Sequence, residues 1–226
     1  MTRPLAVVTG ASRGIGRAIA LRLATSYDIL GVARSKAALE DLAAEVRRLG
    51  GTCRVAVVDL TNPDAIAKAL EGVDAQVLVN NAGTGPVKPF LEMTPKEWTD
   101  MVDVNFNALY HATRALLPAM IARKHGHVVV IGSMAGRSAF VGGTCYAGTK
   151  HAAMAFSECL MLEVREHGVK VSIVNPGSVA TDFSPRNDPA WMLAPEEVAE
   201  TVARVIDTPA DVLVHRVEIR ALAPKK

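Results

Sequence analysis

Tyr146 and Lys150 stand four residues apart in a stretch that reads as a helix, so both side chains project from one face. A phenol has a pKa of about 10, too high for efficient proton exchange near neutrality. An ammonium beside it favours the phenolate and lowers that value. Ser133 closes the apolar run His127–Ile131, at the end of a strand where open α/β sheets hold their ligands. A hydroxyl there can hydrogen-bond an oxygen on which charge is building while the phenol supplies its proton, or removes it in the reverse direction. This is the chemistry of carbonyl reduction. Taken alone, a Tyr and a Lys at this spacing are equally an exposed helix contact of little consequence, so their surroundings must decide.

Such a reaction needs a hydride source, and the chain offers a cradle for one. Thr9-Gly10-Ala11-Ser12-Arg13-Gly14-Ile15-Gly16 links the apolar run Leu5–Thr9 to an amphipathic stretch. Glycine takes positive φ and lets the backbone approach a ligand closely. The helix that follows presents free N–H groups and a partial positive charge to a pyrophosphate. Strand–helix turns also use glycine for steric reasons, but strand, turn and helix together are the context of the dinucleotide fingerprint. The second apolar run ends Gly31-Val32-Ala33-Arg34-Ser35, with no acid to bind a ribose 2′-hydroxyl. Arg34 would attract a 2′-phosphate, favouring NADP(H) over NAD(H). The plainer alternative is that Arg34 solvates a loop and Arg13 a helix end.

Short apolar runs alternating with amphipathic stretches must position these groups. Strands are expected at Leu5–Thr9, Ile29–Ala33, Arg54–Val58, Ala75–Val79, His127–Ile131, Val169–Val174 and Val212–Ile219. Between them lie helices at about Ile15–Thr25, from the Ser35 cap to Leu49, and after Asn62-Pro63. Further helices are expected from Thr94 to about Arg123 with a kink at Pro118, over Cys145–His167, and from Ala194-Pro195. Continuous rather than alternating apolar strands imply burial on both faces. The fold class is therefore α/β, a Rossmann-like doubly wound parallel sheet of seven strands with helices on both faces. At about 100–200 residues per domain, 226 residues make one domain, 1–226. Residues 178–193, holding Pro185, Asn187, Asp188, Pro189, Trp191 and Met192, are the one long irregular stretch and a candidate substrate loop. Trp191 and Met192 either line a pocket or pack the loop down, and residues 223–226 read as a frayed tail.

Composition narrows the classes. With 25 Lys+Arg against 23 Asp+Glu the formal charge is +2, which gives no basic stripe for nucleic acid. No apolar run approaches the roughly 18–20 residues of a membrane span, and no signal peptide is expected at the amino terminus. Three cysteines without CxxC spacing suit reduced thiols in the cytoplasm. The six histidines form no ligand-spaced cluster, so no metal is expected. Cys145 next to Tyr146 faces a substrate cavity or is a small buried thiol.

The glycine spacing, with Thr before it, resembles the classical short-chain dehydrogenase/reductase family, and further signatures extend the resemblance over nearly the whole chain. These are Asn80-Asn81-Ala82-Gly83, Asn105 in Asp103-Val104-Asn105, Ser133, Tyr146-Ala147-Gly148-Thr149-Lys150, and Asn175-Pro176-Gly177 with Thr181. The resemblance implies Ser133, Tyr146 and Lys150 as catalytic residues and Asn105 as the holder of a water in a proton relay, although Asn105 could equally be a satisfied polar residue on a helix face. It implies that Lys150 also binds the nicotinamide ribose and that Asp59 with Leu60 meets the adenine. Ser12, Arg13, Ile15, Ser35, Asn81, Ala82, Gly83, Pro176, Gly177, Val179 and Thr181 complete the implied cofactor contacts. Lys88, near the crevice, could meet an acidic substrate or water. A homodimer or homotetramer is the implied assembly. The alternative function is a regulator that senses NADP(H) without turnover.

Overall fold

The computed structural model describes residues 3–183 and 191–222. Its strands are β1 (Leu5–Thr9), β2 (Asp28–Ala33), β3 (Cys53–Val57), β4 (Val77–Asn80), β5 (Gly126–Ile131), β6 (Val169–Pro176) and β7 (Arg216–Ile219). The helices are α1 (Gly14–Leu23), α2 (Lys36–Arg48), α3 (Pro63–Leu70), α4 (Pro95–Val102), α5 (Ala108–Ala122), α6 (Thr144–Val164) and α7 (Pro195–Ile206). All seven strands are parallel, in the order β3-β2-β1-β4-β5-β6-β7. The fold is the expected Rossmann-like one. Successive residues of β1 explain the two layers: Ala6 and Val8 pack with Ile19, Leu39 and Val198 on one face, and Val7 with Leu78, Met120 and Ile173 on the other. The order reverses at β1, which opens a crevice beyond the carboxyl ends of β1 and β4. No helix among the described residues is long and apolar enough to cross a membrane.

Three expectations need correction. The helix expected over Thr94–Arg123 is two, α4 and α5, joined by a π-helical turn at Asp103–Asn107. Pro118 does not break α5; the departure from α geometry comes earlier, where Asn105 is buried, and π-turns of this kind cluster at functional sites. The last strand is only Arg216–Ile219, because Pro209–Val212 closes a turn in which the Val212 N–H donates to the Pro209 carbonyl at 3.0 Å. α6 stops at Val164, and Arg165–His167 tighten into a 3₁₀ turn ended by Gly168 at φ 72°. Residues 184–190 of the substrate loop, including Pro185, Asn187, Asp188 and Pro189, and the tail 223–226 lie outside the described residues. The ends of that loop are joined, since the Ala180 N–H donates to the Leu193 carbonyl at 2.9 Å and the Leu193 N–H to the Ser178 carbonyl at 3.0 Å.

At the opposite end of the sheet His127 is buried on β5. Its Nε2 lies 2.7 Å from Ser172 Oγ, and that hydroxyl donates to the Val214 carbonyl at 2.7 Å. With the hydroxyl proton engaged, Nε2 carries the proton of this pair. Burial holds the imidazole's pKa down at about 3, with Lys170 and His125 acting in the same direction. The unfolded chain takes up this proton near 6.5, so between the two values it binds more protons than the native state. Stability therefore falls as pH drops through that window, by up to about 1.4 kcal/mol per pH unit. Urea midpoints measured from pH 7 to pH 5 should fall more steeply for the wild type than for His127→Gln; equal slopes would contradict the assignment.

Candidate active site

The glycine turn is built against β4. Thr9 Oγ1 accepts the N–H groups of Asn81 and Ala82 at 3.0 and 3.1 Å and donates to the Val79 carbonyl at 3.3 Å. Asn81 Nδ2 donates to the Thr9 carbonyl at 2.9 Å and the Gly10 carbonyl at 3.4 Å. Gly10 and Gly14 have φ of 68° and 54°, and a side chain at Gly16 would overlap the Gly10 carbonyl. Each thus needs glycine, by conformation or by space. The Asn81 side chain is occupied in holding the turn, a structural task that the resemblance did not separate from cofactor contact. Arg13 occupies the N-cap of α1 without a side-chain capping bond, and the first turn of the helix contains no acid. The helix's free N–H groups and positive end are left to an external anion, which fits a pyrophosphate.

Around this cradle the other nucleotide candidates take distinct positions. Arg13 pairs at 3.6 Å with Asp182, both side chains largely in solvent, an interaction of small worth. Arg34 follows β2, and its charge is one of the influences holding the Asp59 carboxyl low, after the backbone bond from Thr61. Asp59 closes a local turn, accepting the Thr61 N–H and hydroxyl at 3.0 Å each, while the Leu60 side chain is in the core. Ser35 caps α2 by accepting the Ala38 N–H at 3.4 Å. Thr181 stands over the turn, its Cγ2 at 3.3 Å from where a Gly14 Cβ would lie. The segment Pro176–Thr181 is therefore folded back onto the cradle, with the Gly177 N–H bound to the Ile219 carbonyl at 2.8 Å and Val179 bridged to Leu193.

The catalytic candidates converge beside it. The Lys150 ammonium is buried, donates to the Ile131 carbonyl at 2.9 Å and lies 5.9 Å from the centre of the Tyr146 ring. Burial pulls its pKa down to about 8. Burial likewise raises the Tyr146 phenol above its ordinary value, opposed only by the Ser133 hydroxyl. In the cofactor-free protein the cost of burying a phenolate is thus the largest effect, and the lowering expected from Lys150 is not seen. Ser133 is held at the end of β5 by its N–H, bound to Asn175 Oδ1 at 3.2 Å, and its Oγ accepts the Ala135 N–H at 3.1 Å. Asn105 is a clamp. Its Oδ1 accepts the Thr84 N–H at 2.7 Å, and its Nδ2 donates to the Thr84 carbonyl at 2.8 Å and to Thr149 Oγ1 at 3.1 Å. Thr149 in turn donates to the Tyr146 carbonyl at 2.8 Å. Under Lys150 lies a cavity of about 10 Å³ lined by Thr9, Asn80, Asn105 and Ile131, among others.

Some expected contacts are not made. Cys145 is buried with its thiol directed at the Trp98 carbonyl at 3.8 Å, and burial raises its pKa, so it packs α6 on α4 and does not face a substrate cavity. Lys88 is ion-paired with Glu97. Trp191 and Met192 are half-buried beside the Val179–Leu193 bridge. The aromatic side chain set against Tyr146 is Phe183, with ring centres 5.6 Å apart and planes at 48°. Its sequence signal was slight, an aromatic residue two after Thr181. Among the described residues no three His, Cys, Asp or Glu side chains come together as a metal site.

Comparison with known proteins sets this geometry in context. The sequence model of the short chain dehydrogenase family matches residues 4–190. The 3-oxoacyl-(acyl-carrier-protein) reductase FabG of Escherichia coli is 34% identical over 186 residues, covering 80% of this chain and 75% of that protein. The NADP-dependent 3-hydroxy acid dehydrogenase YdfG of Escherichia coli is 32% identical over 237 residues, covering 95% of this chain and 94% of that protein. Among solved structures, a metagenomic short-chain oxidoreductase in complex with NADP matches with a TM-score of 0.89 at 34% identity, over 99% of each chain. Serine dehydrogenase from Escherichia coli matches with a TM-score of 0.88 at 30% identity, covering 98% of this chain and 100% of that one.

Lys150, a buried ammonium without a counter-ion among the described residues, carries a stability cost that a methionine of similar shape avoids. Between the Lys150 value of about 8 and the ordinary value of about 10.4 the unfolded chain binds more protons, so the cost is full below that window and fades as pH rises through it. Lys150→Met should stabilise the cofactor-free protein at pH 7 by about 1–2 kcal/mol after loss of the Ile131 bond, seen as a higher urea midpoint. A destabilised variant would contradict this reading.

Proposed function

The chain belongs to the short chain dehydrogenase family, and from that premise we propose that it is an NADP(H)-dependent carbonyl reductase or alcohol dehydrogenase, interconverting a ketone or aldehyde and an alcohol. The observation that carries this reading is the convergence of Tyr146, Lys150 and Ser133 beside a glycine turn whose helix end is left free of protein ligands. The dinucleotide supplies or takes up the hydride at its nicotinamide when bound. Gly10, Ser12, Gly14, Ile15 and Gly16 would hold its pyrophosphate, and Arg13 and Arg34 its 2′-phosphate. The absence of an acid at the end of β2, together with the NADP complexes among similar structures, supports NADP(H) over NAD(H).

Each remaining step belongs to the chain's own residues. The Ser133 hydroxyl hydrogen-bonds the substrate oxygen and fixes it next to the phenol. Tyr146, kept protonated by burial, donates its proton to that oxygen as negative charge builds there. The Lys150 ammonium, 5.9 Å from the ring centre, stabilises the resulting phenolate by its charge. Asn105 fixes the loop at Thr84, and the cavity beneath Lys150, of about 10 Å³, is the size of one water through which a proton can return. One domain carries both the cofactor and substrate sites. Three free thiols fit a reducing cytoplasm. The outer faces of α5 and α6, with Tyr110 and Leu162 exposed, support a homodimer or homotetramer.

The test is NADPH oxidation against a panel of aldehydes and ketones. Tyr146→Phe should lose about 10²–10⁴ in kcat while binding NADPH as before. Arg34→Ala should raise the KM for NADPH about tenfold or more and leave that for NADH little changed. Undiminished turnover in Tyr146→Phe would refute the mechanism, and a wild-type preference for NADH would refute the arginine assignment.

A further inference from the structure

We propose that the carbonyl compound handled at Tyr146 carries an extended, uncharged apolar arm, alkyl or aryl, which lies against a wall formed by two loops beside the phenol. The proposal rests on the reductase reading and names its substrate class. The wall begins at the ring itself. Phe183 lies against Tyr146, and Gly85 closes the gap between them so tightly that a Cβ there would overlap Phe183 and stand 2.8 Å from Tyr146 Cδ2. Beyond Gly85 the chain carries Val87, Phe90 and Leu91, and the segment before α6 carries Phe140 and Val141. The two segments are joined, since the Lys88 N–H donates to the Gly142 carbonyl at 3.2 Å and a Cβ at Gly142 would meet Val87 Cγ1 at 2.9 Å.

These side chains are open to water, Leu91 at 93% and Val141 at 94%. A single exposed apolar side chain is ordinary, but five on two joined segments, with Phe183 set against the phenol at Gly85, form a patch of the kind that marks a binding site. The cations on and around these segments are already engaged, and Glu92 beside Leu91 adds a carboxylate. Lys88 is paired with Glu97, Arg137 with Glu218 and Arg13 with Asp182, and Lys150 is buried on the Ile131 carbonyl. A carboxylate or phosphate on the substrate's arm would lose water here and meet no free cation among the described residues, which is unfavourable. An alkyl or aryl arm gains by covering the wall, at about threefold in affinity per methylene removed from water.

Matched substrates test this. NADPH oxidation is measured with ethyl 3-oxobutanoate against 3-oxobutanoate and with 2-octanone against acetone, for the wild type and for the Leu91→Asp/Val141→Asp double variant. Both substituted side chains are almost wholly exposed, so the variant keeps its fold. The ester should exceed the acid, and octanone exceed acetone, by about tenfold or more in kcat/KM. The variant should lose about fivefold or more on octanone and nothing on acetone. Turnover of the acid equal to or better than that of the ester overturns the inference and leaves the reductase reading standing, as does an unchanged octanone preference in the variant. Calorimetric binding of octanone without NADPH oxidation by any of the four compounds supports the wall and overturns the reductase reading. Neither binding nor turnover of an uncharged ketone overturns the inference.

Discussion

A buried ammonium with no counter-ion among the described residues is the constraint around which this end of the molecule is arranged. Lys150 sits beneath the Tyr146 ring and satisfies itself on one backbone carbonyl, that of Ile131 at the end of β5. Such a group is tolerated only where neighbouring elements are fixed well enough to hold it. Here the sheet fixes Ile131, and α6 fixes the spacing from Tyr146. Gly83 leaves the space beside Nζ open, a Cβ at that position standing 3.9 Å away. The π-turn then makes sense as part of the same arrangement. It places Asn105 so that one side chain grips both polar groups of Thr84 and reaches Thr149, whose hydroxyl returns to the Tyr146 backbone. Loop, π-turn and α6 become one hydrogen-bonded unit.

The nucleotide end follows a complementary logic. There the polar groups around Thr9 and Asn81 bond to one another, and the N-cap residue of α1 makes no side-chain capping bond. The site thus combines this scaffold with two features open to a ligand, a helix end that attracts an anion and a phenol that burial keeps neutral beside an ammonium whose proton burial loosens.

The layer order and strand positions were legible because they rest on local signals, continuous apolar runs and helix starts such as Thr94-Pro95 and Asn62-Pro63. So was the meeting of Ser133, Tyr146 and Lys150 at the end of β5, which their spacing and the strand end suggested. What escaped was tertiary. The π-turn exists because Asn105 bonds to Thr84 on a distant loop, and no periodicity carries that information; Pro118, the visible helix breaker, drew attention instead. β7 came out short because its amino-terminal residues are committed to a turn. Phe183 and Gly85 meet Tyr146 only through folding of the chain after β6. Cys145 turned away to Trp98 for a similar reason, since its facing depends on how α4 packs on α6. Spacing reveals the charge beside Tyr146 but not the burial that raises the phenol while the site is empty.

The central claim is that burial keeps Tyr146 protonated until a second positive charge reaches it. Ultraviolet difference titration measures this directly, subtracting Tyr146→Phe from the wild type, with and without saturating NADP⁺. The account predicts a phenol titrating above its ordinary value of about 10 in the free protein and well below it when the dinucleotide is bound. A phenol already titrating below 10 in the free protein, or one that NADP⁺ leaves unmoved, would contradict it.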